Sequence, residues 1–93
     1  MYLLRIEHEV ANYEGWKKAF DSDPLGREKA GVHSYRISRF VENVNLVLID
    51  LEFDSSSEAE AMAAGLRELW KSLQGKIVNP KAHLLEVVET REF

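Results

Sequence analysis

The chain has 93 residues, a formal charge of −4 and no cysteine, with 45% apolar and 30% charged residues. That length holds one domain, residues 1–93, with one small core, and the composition is that of a globular protein rather than a disordered or fibrous one. The acidic balance leaves no basic stripe for a nucleic-acid backbone, and the missing thiols remove disulfides, thiolate metal sites and cysteine nucleophiles.

Tyr2 to Val10 alternates strictly. Tyr2, Leu4, Ile6, His8 and Val10 share one face and Leu3, Arg5, Glu7 and Glu9 the other, which predicts the first strand. The pattern starts without a charged leader or a long apolar stretch, so a cytoplasmic protein is expected, with no membrane span. Asn12 can cap a helix that sets Tyr13, Trp16 and Phe20 on one side. Asp23-Pro24 should interrupt it, and from Leu25 a short helical turn resumes until Gly31 closes it.

Val32 to Asp54 reads as a hairpin with its turn at Glu42 and Asn43. Its second arm, Leu46 to Phe53, opens as an unbroken apolar run, the mark of a central strand. Ser55-Ser-Ser-Glu58 is a capping box in which hydroxyl and carboxylate should reciprocally satisfy end amides. The helix it opens carries Ala59, Met62, Ala63, Leu66, Leu69, Trp70 and Leu73 at core spacing and ends at Gln74-Gly75. Lys76 to Lys81 is expected to be a connection and Ala82 to Thr90 the fourth strand.

This order of elements, βαββαβ, predicts an α+β ferredoxin-like sandwich with the first and third strands central and both helices on one face. The helices would cover Leu4, Ile6, Val47, Ile49, Leu51 and Phe53. The opposite face should then carry Leu3, Leu46, Leu48, Leu84 and Val88 among Arg5, Glu7, Arg36, Asp50, Glu52 and Glu86. Leaving large aliphatic side chains in water forfeits roughly 1.5–3 kcal/mol each, a heavy cost for a domain stable by about 5–15 kcal/mol. A homodimer through the sheet face is the simplest cover, with Arg5 pairing Asp50 or Glu52 on neighbouring strands.

The stretches Tyr13 to Phe20, Gly31 to Arg39, Asn45 to Phe53 and Ala63 to Trp70 together resemble the dimeric alpha-beta barrel superfamily, near the antibiotic biosynthesis monooxygenase family. The resemblance spans nearly the whole chain and rests on architectural residues. It implies a dimeric α+β barrel built from two sheets, with a pocket in each subunit between helices and sheet. Quinone-forming, cofactor-independent monooxygenases of this superfamily use an asparagine, a tryptophan and an arginine around a phenolic substrate. Haem-degrading relatives use an asparagine on the first strand, a tryptophan at the start of the second helix and a histidine just beyond it. Here the first strand offers Glu7, His8 and Glu9, and Ser57 and Glu58 stand where that tryptophan is expected, so neither set is carried over.

Among candidate site residues, His8 shares an otherwise apolar face beneath the helices and could serve as acid or base on a phenol or enol; the bland reading is a core histidine bonded to backbone. Trp16, Phe20, Tyr35 and Trp70 could line a flat pocket or simply fill the core. Arg39 or Arg36, on opposite faces of the second strand, could bind an acidic group or pair with a carboxylate. Asp23 to Arg27 is either a lid with Arg27 at a pocket rim or a plain helix break. His33 and His83 are placed at strand starts, and the three histidines lack metal-ligand spacing, so no metal is expected; with no phosphate-cradling glycine loop or dinucleotide fingerprint, no organic cofactor is expected either. Two functions stand open: a cofactor-independent monooxygenase-like or isomerase-like enzyme acting on a hydrophobic aromatic or polyketide-like molecule, and a non-catalytic dimerisation or ligand-binding module.

Overall fold

The computed structural model describes residues 1–75 and 77–93. Its elements are β1 (Tyr2–Val10), α1 (Tyr13–Asp21), β2 (Ser34–Phe40), β3 (Asn43–Phe53), α2 (Ser56–Ser72) and β4 (Ile77–Glu86). The sheet order is β2-β3-β1-β4, with every neighbouring pair antiparallel. This is the ferredoxin-like arrangement expected, with β1 and β3 in the centre.

Local chemistry sets the helix starts. Asn12 accepts a hydrogen bond from the Gly15 amide at 3.0 Å, and Ser55 Oγ accepts one from the Glu58 amide at 3.2 Å. The second half of the capping box differs from expectation. The Glu58 carboxylate takes its bond from the Ser55 hydroxyl at 3.0 Å rather than from a backbone amide. It is drawn toward Gly31, where a left-handed φ of 104° and the missing Cβ leave room for the carboxylate against the backbone. The loop after α1 therefore passes close to the first turn of α2.

The core lies between the sheet and α2. Leu4, Ile6, Val47, Ile49, Leu51 and Phe53 are buried from the sheet side, and Ala59, Met62 and Ala63 meet them from the helix. The small alanines let α2 approach the strands closely. In contrast α1 buries no residue completely; Tyr13, Trp16 and Phe20 are partly buried and pack against the core. Bulky rings therefore hold α1 off the sheet, and the space beneath it is where a cavity opens.

β4 departs most from the sequence reading. It begins at Ile77, before the expected Ala82, and ends at Glu86 instead of Thr90. Pairing with the whole length of β1 recruits the earlier residues, and a bulge at Asn79-Pro80 absorbs the proline, which has no amide to donate and is tolerated on this edge strand. His83 consequently sits in mid-strand opposite Arg5 instead of opening the strand. The face assignment also reverses. Leu84 pairs with Leu4 and Glu86 with Tyr2 on the helix side, so Leu85, partner of Leu3, is the leucine of the open face, and Val88 lies beyond the strand. Adjacent Leu84 and Leu85 give the alternation no preferred phase, and a slip of one residue exchanges faces.

The open face thus carries Leu3, Leu46, Leu48 and Leu85, each partly exposed, among charged neighbours. Arg5 holds Asp50, its register partner, through two parallel bonds, Nε to Oδ1 at 2.8 Å and Nη2 to Oδ2 at 2.9 Å. Ser34 donates to Glu52 at 2.7 Å on the same face.

Candidate functional site

A cavity of about 260 Å³ lies between α1, α2 and the sheet. Ile6, Ile49 and Leu51 form its floor, Trp16 and Phe20 one wall, and Met62, Leu66, Leu69 and Trp70 the other. Residues 22–25 and Arg27, from the loop after α1, complete it. The lining is overwhelmingly apolar, with a few polar side chains, His8, Ser22, Asp23 and Arg27. Such a composition suits a small hydrophobic ligand oriented by a few polar contacts.

Among the described residues His8 is the buried polar one, 3% exposed. Its place follows from period-two alternation on β1, which puts it on the same face as Leu4 and Ile6. The bulge at Asn79-Pro80 breaks the β4 ladder directly opposite it. The Nδ1 of the imidazole is sealed from solvent and has no hydrogen-bond partner among the described residues. Trp16 holds the ring edge-on at a centroid distance of 5.6 Å. Burial lowers the pKa of His8, and a contact with the Glu9 backbone opposes this to a smaller extent. A neutral imidazole of this kind can accept a proton from a ligand hydroxyl or acidic carbon.

One wall is a continuous aromatic series. Trp16 lies 5.2 Å from Phe20, and Phe20 meets Tyr35 edge-on at 5.1 Å. The Arg27 guanidinium stacks over Phe20, 3.8 Å from its centroid, and donates from Nη1 to the Phe20 carbonyl at 2.8 Å. Asp23, in the left-handed region at φ 54°, accepts the Arg27 amide at 2.9 Å and so folds the loop back across the cavity.

Of the residues singled out in the sequence, His8, Trp16, Phe20 and Trp70 come together around the cavity. Tyr35 and Arg39 stand outside its lining: Tyr35 backs Phe20 from the outside, and the Arg39 guanidinium rests over the Tyr13 ring at 4.5 Å. Arg36 projects from the open face beside Asp50. His33 pairs with Asp54 at 2.6 Å, away from the cavity. The arginine that does line the cavity is Arg27, signalled in sequence by the proline and glycine around it. Leu69 and Met62 carried no signal beyond core spacing. Among the described residues no group of three or more His, Asp or Glu side chains is placed to hold a metal ion, and no helix is long and apolar enough to cross a membrane.

No family model matches the sequence, and no curated protein matches it. Solved structures do. A protein of Deinococcus radiodurans, provisionally described as an antibiotic biosynthesis monooxygenase, superposes with a TM-score of 0.78 at 13% identity, covering 100% of this chain and 98% of the other. The cofactor-independent oxygenase SnoaB of Streptomyces nogalater gives 0.76 at 11% identity, over 96% of this chain and 94% of its own. A dimeric ferredoxin-like protein from an uncultured marine organism gives 0.72 at 15% identity, over 97% of both chains. At these identities the likeness is one of fold, and chemistry has to be argued from the site.

Proposed function

We propose that this protein binds a flat, hydrophobic aromatic or polyketide-like molecule in the cavity under α1, and that His8 accepts a proton from its phenolic, enolic or activated C–H group. The single observation that carries this reading is a 3% exposed imidazole whose Nδ1 has no hydrogen-bond partner among the described residues, on the wall of a largely apolar cavity. A buried polar group left unsatisfied costs about 1–3 kcal/mol, so a partner supplied by a ligand gives the arrangement a reason. Fold likeness to a cofactor-independent oxygenase supports the same direction.

Proton removal leaves a carbanion or phenolate. In an isomerase the imidazolium returns the proton to another carbon of the same molecule. In an oxygenase the anion passes electrons to dioxygen; for an enolisable ring methylene, one oxygen atom replaces the two hydrogens as C=O and the other leaves with them as water. The working unit is a homodimer joined through the open sheet face, supported by the leucines exposed there and by the dimeric neighbour.

Anthrone, a flat enolisable ketone, tests this directly. Under anaerobic conditions in deuterium oxide the protein should accelerate exchange of the ring methylene, and His8→Gln should abolish that acceleration. Oxygen uptake with anthraquinone formation then separates the oxygenase from the isomerase. Exchange unchanged by His8→Gln removes the role given to the histidine, and a cavity that binds no aromatic ligand leaves a dimerisation module.

A further inference from the structure

Resting on that reading of the cavity, we propose that Arg27 is an anion-recognising residue and that the ligand is an aromatic acid. Its hydroxyl or carbonyl end meets His8, and its carboxylate meets Arg27.

The aromatic wall has a polar group at each end. His8 contacts Trp16, Trp16 contacts Phe20, and Phe20 carries Arg27 on its face. The two ends differ in access, since His8 is 3% exposed while the Arg27 side chain is 16% exposed and flanked by the exposed Tyr35 ring at 5.1 Å. Arg27 therefore stands toward the rim. A flat molecule lying along Trp16 and Phe20 would reach both.

The bonding of Arg27 is unlike that of the other paired cations. Arg5 is matched to Asp50 by two hydrogen bonds, and exposed Lys17 and Lys71 are tied to Asp21 and Glu68. Arg27 spends Nη1 on the Phe20 carbonyl, while Nε and Nη2 donate to no group among the described residues. The carboxylate beside it is Asp23, whose Oδ1 is 3.6 Å from Nη1, beyond hydrogen-bond reach, and already accepts the Arg27 amide. Stacking on Phe20 fixes the plane of the guanidinium, so its spare donors have a set direction. A shielded guanidinium with parallel donors unspent matches the two oxygens of a carboxylate. The chain as a whole is acidic at −4, so a preference for acids has to arise locally. Asp23 opposes it, and removing that charge should strengthen the site.

Calorimetric titration with two probes, 2-naphthol and 6-hydroxy-2-naphthoic acid, tests the assignment on the full chain. The acid should bind at least about tenfold more tightly, the worth of one charge-assisted hydrogen bond. Arg27→Gln should erase the advantage of the acid over the naphthol, with an unchanged circular dichroism spectrum reporting that the variant is folded. Asp23→Asn, which keeps an acceptor for the Arg27 amide, should tighten the acid alone. Equal binding of the two probes by the wild type, or a preference for the acid that survives Arg27→Gln, overturns the role of Arg27 while leaving the cavity reading intact. Failure of both probes to bind overturns the two together.

Discussion

Replacing His8 by leucine separates a ligand-facing histidine from a structural one by stability alone. A core histidine bonded to backbone contributes hydrogen bonds that leucine cannot make, so its loss costs stability. The Nδ1 of His8 has no such bond among the described residues. Leucine relieves an unsatisfied nitrogen worth about 1–3 kcal/mol and forfeits an aromatic edge contact with Trp16 worth about 0.5–1.5 kcal/mol. At about pH 7.5 the variant should therefore equal or exceed the wild type, by roughly 0–2 kcal/mol.

The pH dependence gives a second, signed test. Burial depresses the pKa of His8 in the folded chain, so the unfolded chain takes up the proton first as pH falls. Stability is complete above the unfolded value of about 6.5 and is lost as pH falls from there toward the folded value. Between about pH 7.5 and 5.5 the wild type should lose up to about 1.4 kcal/mol more than His8→Leu, in which this titration is absent. In a domain of this size that is a relative shift of about 4–8 °C in Tm per kcal/mol. Urea melts of both proteins across this range measure it, with His33 and His83 common to the two. A variant less stable by more than about 1 kcal/mol at neutral pH, or pH profiles that run parallel, would refute the reasoning.

Three further outcomes follow from the fold. Phe53→Ala, at a position 0% exposed, should cost about 3–5 kcal/mol in urea denaturation, enough to leave so small a domain barely folded. Gly31→Ala places a methyl group against the Glu58 carboxylate at a φ of 104°, and should lower stability by about 1–3 kcal/mol, with much of that loss recovered in Gly31→Ala/Glu58→Ala if the clash outweighs the backbone strain. Leu48→Asp on the open face should shift sedimentation from dimer to monomer with little change in the circular dichroism of the fold; an unchanged dimer would place the subunit contact elsewhere.

The fold was legible because its signals are local and redundant. Asn12 and Ser55 mark the helix starts by chemistry that needs only the next turn, and β1 alternates without a fault. β4 was less legible because its limits are set by its partner. Nothing in Ile77 to Lys81 announces a strand, and Pro80 argues against one, yet β1 offers an unpaired edge that recruits it. The same holds for the site. His8 and the rings of α1 and α2 could be named from periodicity, whereas the choice of Arg27 over Arg39 depends on how Asp23 folds the loop. Both arginines lie on aromatic rings, and sequence cannot tell which ring borders a cavity.

The position of His8 is costly in a way that the rest of the sheet avoids. Every other fully buried side chain of β1 and β3 is aliphatic or aromatic, and leucine at residue 8 would continue the pattern of Leu4 and Ile6. The β4 ladder is interrupted opposite this one residue, and the helix above it is kept at a distance by Trp16 and Phe20 instead of approaching through alanines as α2 does. Each of these departures gives up core stability in a chain with little to spare. They converge on the same cavity, and a bound molecule that hydrogen-bonds His8 and fills it would offset all of them at once.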